Sequence, residues 1–511
     1  MGHDEKMRVF HEKRKHQLAM GGEKKLAARK KAGKLNARER INSLLDSGTF
    51  QEIGVFSHSS VLEEAQQTPG DGKIIGHGLV NGRQIGVISG DMTVKGGSSA
   101  FTNMKKIDYM RAWSCESEKP LVFFNESTGA RMPDVMGTWA MSQGGQNKLQ
   151  YRRCREAPWI AALMGPSFGS GTWYSVMSDI AVMLKGAVMA VSSPKVTQIA
   201  TGEDTPWEEL GGWKLHYENT GLVDAVADTE QECIELIKKY LAYLPQNAKE
   251  PAPRHDIPAG SGAGMADILD LLPEKSNRAY DMLKIIKTIT DGGQILELKA
   301  KFSRQCITAF AALGGKTVGI IANNPRFMAG ALDADSCDKI TSFLVLCDSY
   351  NIPIVMLVDT PGFLIGKAGE YKKVTGKIIN WMNALSQVSV PVFTVIVRKT
   401  FGQAYLNMGA GKYSTVIAAW PTAEISFMSP EPGINVLFNL KQEDDPEKFE
   451  ALKQMISKNS EPWVGAGIFG LHDIIDPRQT RDFLITMLAI HCNRPEGHVG
   501  KHLMHNWPTS Y

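Results

Sequence analysis

The chain has 511 residues, 43% hydrophobic, 22% charged and 8% aromatic, which excludes a collagenous or largely disordered polymer and is too long for one compact core. Its net charge of +3 joins unlike parts: residues 1–40 carry 13 Lys and Arg against 5 Asp and Glu, so the other 471 are net −5. Forty-nine glycines against 24 prolines, with no collagen period, point to tight turns where backbone approaches backbone or ligand.

In chain order, the basic arm 1–40 comes first. It mixes Lys, Arg, Glu and Ala at helical spacing without interleaved aromatics, the pattern of a solvated helical arm and not of a nucleic-acid binder. Asp4, Glu5, Glu12 and Glu23 interrupt it, so no transit peptide is expected.

An internal repeat follows. A shift of 233 positions lays Gly82, Gly86 and Ile88 on Gly315, Gly319 and Ile321, and Gly97 on Gly330. The same shift lays Pro120 and Val122 on Pro353 and Val355, Glu126 on Asp359, Gly129 on Gly362, Pro158 on Pro391, and Phe168-Gly169 on Phe401-Gly402. Each copy predicts a strand (Gln84 to Ser89; Thr317 to Ala322), a small-residue turn, a helix, and a buried strand after proline (Leu121 to Asn125; Ile354 to Val358). A second helix and another post-proline strand (Trp159 to Met164; Val392 to Val397) complete the pattern. Short apolar runs alternating with helices indicate parallel βαβ units and an α/β class. The proline- and glycine-rich stretch 251–274 reads as a linker between domain one, 1–250, and domain two, 275–511.

No apolar run is long enough to span a membrane. The seven cysteines form no C-x-x-C pair, and the histidines form no tight ligand cluster. A soluble, cytoplasmic protein with free thiols and no metal is expected.

In such a fold the ligand site lies where strands end and helices begin. Gly169-Ser170-Gly171 and Gly402-Gln403-Ala404 stand there, each paired with a second small-residue turn, Gly96-Gly97-Ser98 and Ala329-Gly330-Ala331. Small residues at a helix start let backbone amides face an oxygen or anion, as in an oxyanion hole. Three other motifs compete. Gly165-Pro-Ser167-Phe-Gly169 fits the G-x-S-x-G nucleophile elbow, but the second copy reads Arg398-Lys-Thr400-Phe-Gly402, so Phe-Gly is the shared part. Gly362-Phe-Leu-Ile-Gly366-Lys367-Ala368 is too short for a phosphate loop and lacks its Ser or Thr. Glu126 and Asp359 match as general acid and base or as anchors of the following turn.

These residues resemble the carboxyltransferase (β) subunit of biotin-dependent acyl-CoA carboxylases, the propionyl-CoA, acetyl-CoA and methylcrotonyl-CoA carboxylase group. The likeness runs from Gly33-Lys-Leu-Asn-Ala-Arg-Glu-Arg40 to Asp473-Ile-Ile-Asp476-Pro-Arg-Gln-Thr-Arg481. Its most specific parts are Gly330-Ala-Leu-Asp333, Asp359-Thr-Pro-Gly-Phe-Leu, Arg398-Lys399 and Trp420-Pro-Thr-Ala-Glu424. The resemblance implies two tandem crotonase-like (ClpP/crotonase superfamily) domains related by internal duplication. It implies that Ser170 and Gly171 hold the thioester carbonyl of an acyl-CoA, with Gly97, Ser98, Gly129 and Gly169 around it. It implies that Gln403 and Ala404 hold the ureido oxygen of carboxybiotin, with Gly330, Ala331, Gly362 and Gly402 around it, and that Leu406 bears on acyl selectivity. Ser98 and Ala331 are candidate second donors. In the implied cycle carboxybiotin yields CO2, its ureido anion takes the α-proton, and the enolate attacks CO2. The chain carries no Ala/Val-Met-Lys-Met site of its own, so biotin comes from a biotin carboxyl carrier served by a biotin carboxylase, and the family is a homodimer or homohexamer. Family turns read Gly-Gly-Ala, whereas these read Gly-Ser-Gly and Gly-Gln-Ala. Alternatives are an acyl-CoA decarboxylase subunit, biotin-linked or biotin-independent, and a non-catalytic CoA-binding scaffold.

Overall fold

A computed structural model describes residues 2–142, 151–153, 155–492 and 498–508, apart from the side chain of Pro133. Cys154 lies outside the described residues; the six described cysteines are free. The chain divides into two compact units, Met1–Lys249 and Glu250–Tyr511.

The first unit holds β1 (Gln51–Ile53), β2 (Lys73–Val80), β3 (Arg83–Gly90), β4 (Leu121–Ser127), β5 (Trp159–Phe168), β6 (Ile180–Leu184), β7 (Val188–Ala190) and β8 (Ala225–Ala227). They form one sheet in the order β1-β2-β3-β4-β5-β6-β8, with β7 paired to the far end of β5. The second unit holds β9 (Ile295–Leu298), β10 (Cys306–Leu313), β11 (Lys316–Asn323), β12 (Ile354–Thr360), β13 (Val392–Phe401), β14 (Val416–Ala419), β15 (Glu424–Ser426) and β16 (Asp473–Ile474). Its order is β9-β10-β11-β12-β13-β14-β16, with β15 paired to β13. β2 to β5 and β10 to β13 begin and end 233 residues apart without exception. After the glycine turn the offset becomes 236, so that β7 matches β15. Four of the six predicted strands thus start at the observed residue, β3 and β11 start one residue earlier than predicted, and all six run on past their predicted ends. β4 continues through Asn125, Glu126 and Ser127, all buried, because the polar end of each strand bonds to the turns of the site.

Pro120, Pro158, Pro353 and Pro391 precede these strands; the proline carbonyl, which has no N–H beside it, accepts from the neighbouring strand, as Pro120 O does from Gly86 N and Pro391 O from Ile354 N. Residues at every second place, Ala309 and Ala311, Val318 and Ile320, Val355 and Leu357, and Phe393 and Val395, share one buried cluster. The helices Met282–Ile289 and Thr480–His491 close that face through Ile285, Ile289, Leu484 and Leu488. Among the described residues no helix is long and apolar enough to cross a membrane.

Two expectations change in the structure. The stretch 251–274 is built into the second unit, its Met265, Ile268 and Leu272 lying in that unit's core. His255 N donates to Gly315 O and Arg254 forms a bridge with Lys316. The glycines and prolines allow the strap to turn, while its spaced apolar residues bury it. The basic arm is likewise not simply solvated. The helices His3–Leu18 and Glu23–Lys31 bury no residue, yet Gly21 N and Lys25 Nζ bond Thr93, and Arg29 reaches Glu126 at 2.7 Å. The third helix, Ala37–Leu44, starts with an Asn36 and Glu39 capping box and buries Arg40, Ile41 and Leu44.

Candidate active site

β5 ends at Phe168, and Gly169 turns the chain into the helix Ser170–Val176 with φ 60° and ψ −125°. A side chain is disfavoured in that conformation. The Gly169 amide closes on Val191 O at 3.2 Å. The amides of Ser170 and Gly171 are the first two of the helix and have no carbonyl within it to bond. In the second unit Gly402 does the same with φ 61° and ψ −145°, its amide on Ser426 O at 3.0 Å, and the helix Gln403–Asn407 begins with the amides of Gln403 and Ala404.

The companion turns also match. Lys95, Gly96 and Gly97 have φ of 47°, 65° and 59°, and Met328, Ala329 and Gly330 have 49°, 53° and 80°. A Cβ on Gly97 would lie 2.7 Å from Glu126 O, and one on Gly330 2.5 Å from Asp359 O, so both positions require glycine for close approach to a strand end. Ser98 N closes its own turn on Lys95 O at 3.3 Å and Ala331 N on Met328 O at 2.9 Å. Gly129 and Gly362, with φ of 103° and 117°, place their carbonyls on Ser99 N at 2.7 Å and Leu332 N at 3.0 Å. Gly97, Gly129 and Gly169 thus gather around one turn, and Gly330, Gly362 and Gly402 around its equivalent in the second unit.

The replaced glycines are accommodated differently. Ser170 Oγ donates to Ser99 Oγ at 2.8 Å, tying the helix start to the companion turn. Gln403 Nε2 donates to Asn407 Oδ1 at 3.1 Å, one turn along its own helix, so the carboxamide lies away from the first amides. Leu406 is half-buried, and Trp173 at the corresponding place of the first unit is exposed.

Asn125 has no sequence signal, since Val358 stands at its match. Its Nδ2 is bonded to Gly171 O at 2.5 Å, Ser175 Oγ at 2.7 Å and Ser167 Oγ at 2.9 Å. This buried clamp fixes the peptide that follows the Gly171 amide. Ser167 is a fully buried strand residue that accepts from Asn125, which removes the nucleophile-elbow reading.

Glu126 and Asp359 are anchors. Glu126 accepts from Arg29 at 2.7 Å and Arg40 at 2.5 Å. Asp359 accepts from Arg398 Nε at 2.8 Å and Lys399 N at 3.2 Å. Burial pushes the Asp359 carboxyl up and the Arg398 guanidinium opposes it. Neither carboxylate is open to a substrate proton, so position and electrostatics are what the two turns offer.

Residues 28–505 match the family model of the carboxyl transferase domain. The chain is 35% identical to the propionyl-CoA carboxylase carboxyltransferase subunit of Haloferax mediterranei, over 95% of this chain and 96% of that one. It is 34% identical to the methylmalonyl-CoA carboxyltransferase 12S subunit of Propionibacterium freudenreichii subsp. shermanii, over 93% and 92%. It is 33% identical to the methylmalonyl-CoA decarboxylase subunit alpha of Veillonella parvula, over 97% and 98%. Among solved structures, a hexameric transcarboxylase 12S with methylmalonyl-coenzyme A and methylmalonic acid bound superposes with a TM-score of 0.88 at 32% identity, covering 98% of this chain and 99% of that one. Two tandem crotonase-like domains with one glycine turn each, matched from end to end by these relatives, mean that the chain belongs to the carboxyl transferase family, as a carboxyltransferase of the biotin-dependent acyl-CoA carboxylase type.

Proposed function

We propose that the protein moves a carboxyl group from carboxybiotin on a partner carrier to the α or vinylogous carbon of an acyl-CoA. The observation that carries this is the pair of equivalent turns, each presenting two adjacent amides unbonded within their helix. Ser170 and Gly171 hold the thioester oxygen as it gains charge in the enolate, and Gln403 and Ala404 hold the ureido oxygen. Amides already fixed by the fold need no reorganisation when charge develops, and each such donor contributes about 2.7–4 kcal/mol. The residues of the second turn suit a ureido group. Ala404 is small and buried, and the Gln403 side chain is held on Asn407. Carboxybiotin supplies the CO2 and the base when bound, while the two strand-end carboxylates, Glu126 and Asp359, are held in ion pairs. The free cysteines suit a reducing, cytoplasmic compartment.

The test combines the protein with a biotin carboxylase and a biotinylated carrier and follows labelled bicarbonate into a panel of acyl-CoAs. Incorporation that needs all three proteins is expected. An apolar Leu406 beside the turn favours hydrophobic acyl groups, so kcat/KM should rise from acetyl-CoA to longer or branched acyl-CoAs by roughly 10-fold or more per added pair of methylenes. Preference for the smallest substrate overturns that specificity. The Veillonella relative motivates a second reading, decarboxylation; CO2 release from malonyl-type CoAs without biotin, and no incorporation, would replace the first reading with it.

A homodimer-based assembly, up to a hexamer, completes the proposal. Val191, Val196 and Ile199 in the first unit, and Phe427, Val436 and Leu437 at the matching place in the second, are large exposed apolar side chains. Surfaces of this kind are covered in assemblies. Replacing Val436 and Leu437 together by Asp should convert the oligomer to smaller species in light scattering and abolish transfer; an unchanged mass removes this face from the interface.

A further inference from the structure

Two buried lysines stand at the base of the first turn, and only one has a counterpart in the second unit. Lys106 Nζ donates to the carbonyls of Gly54 at 3.2 Å, Gly70 at 2.8 Å and Lys73. Its match 233 residues on, Lys339, donates to Lys299 O at 3.0 Å, Phe302 O at 2.9 Å and Cys306 O at 2.8 Å. Both clip the start of β2 or β10 to a helix, a use common to the two units.

Lys73 is different, because Cys306 occupies its place in the second unit. Lys73 is 1% exposed, and its ammonium donates to Gly97 O at 2.7 Å and Glu126 O at 3.2 Å. The second unit makes the same left-handed turn with a thiol at that position, so the cation is not what shapes the turn. Burying a cation is costly, and the two units differ in what their turns serve. The Gly97 carbonyl and the Ser98 amide belong to one peptide, and Ser99 next to it accepts from Ser170 Oγ. A positive charge on the Gly97 oxygen holds that peptide plane and adds positive potential where an enolate forms.

We infer that Lys73 is a positioning residue of the thioester site, holding the Lys95–Ser99 turn against the Ser170–Gly171 helix start and favouring negative charge there. The inference rests on the reading of that turn as the acyl-CoA side. The charged groups facing Lys73 are Asp71 before β2, Asp91 after β3, Glu126 on β4, Arg131 beyond β4, and Lys106 on the helix Phe101–Ser117. Burial pulls the Lys73 ammonium down to about 8, and Asp71, Glu126 and Asp91 oppose it. Lys106 is pulled down to about 8 as well. Between about 8 and the ordinary 10.5 the folded chain binds fewer protons at Lys73 than the unfolded chain, so this group makes stability rise with pH. Its charge at the site is lost as pH rises through about 8, and an alkaline fall in activity from Lys73 comes without unfolding.

The experiment compares the full chain with Lys73→Met and Lys73→Cys, the latter matching the residue that the second unit tolerates, in the complete carboxyl-transfer assay with carrier and carboxylase. Expected are a kcat lower by roughly 10- to 100-fold, a smaller change in KM for the acyl-CoA, an unchanged or higher melting temperature, and loss of the alkaline limb near pH 8 that the unmodified protein shows. Unchanged kcat in a folded variant, or an alkaline limb that persists and so belongs to Lys106, overturns the inference. If the unmodified protein transfers no carboxyl group to any acyl-CoA, the site reading falls and the inference with it. Transfer by the unmodified protein and equal transfer by both variants overturn the inference alone.

Discussion

Gly171→Pro should lower carboxyl transfer by at least about 100-fold, the loss expected for one oxyanion donor, while the protein still assembles. Proline is tolerated in the first turn of a helix, where the missing N–H has no intrahelical partner. Gly171 is the second residue of its helix, so removal of its amide affects the site more than the helix. A Cβ at this position would stand 3.0 Å from Ser167 Oγ and 3.1 Å from Asn125 Oδ1, which makes crowding a separate effect. Gly171→Ala carries the same Cβ and keeps the amide. The difference in kcat between the two variants therefore isolates the donor, with size-exclusion chromatography as the check on assembly. Equal rates for Pro and Ala would remove Gly171 from the oxyanion site.

Arg40→Met should destabilise the first unit by about 3–5 kcal/mol, the range for breaking a buried ion pair by removing one partner. Arg40 is fully buried, with Nε and one terminal nitrogen on Glu230 at 2.7 and 2.8 Å and the other on Glu126 at 2.5 Å. Arg29 remains on Glu126 in the variant, but Glu230 is left buried without its bidentate partner. Urea denaturation followed by fluorescence should show the midpoint fall, and adding Glu230→Gln should recover part of the loss. A shift below about 1 kcal/mol, typical of exposed pairs, would mean that water reaches the triad. Because Glu126 lies near the end of β4 beside the Gly97 turn, the variant links the basic arm to the site as well as to stability.

Much of the fold was legible because duplication leaves a register. The offset of 233, read from ten identities such as Gly86 with Gly319 and Pro158 with Pro391, is the offset at which four strands of each sheet begin and end. Post-proline apolar runs marked strand starts, and glycine marked the turns because φ near 60° excludes most side chains. Strand ends were less legible, since polar residues such as Glu126 and Ser127 follow an apolar pattern without ending the strand. The strap 251–274 illustrates the opposite error: its prolines and glycines describe turns, while Met265, Ile268 and Leu272 decide that it packs.

By itself the sequence determined the α/β class, the duplication, the family and the two glycine turns, all of which rest on backbone conformation and periodic burial. Only the tertiary structure decided what surrounds those turns. It bent Gln403 onto Asn407, joined Ser170 to Ser99, gave Gly171 O to Asn125, and set Lys73 on the Gly97 carbonyl in one unit alone. These partners lie 4 to 71 residues apart. Most of them meet across the sheet at no repeating spacing, so only the packed chain brings them within hydrogen-bonding distance.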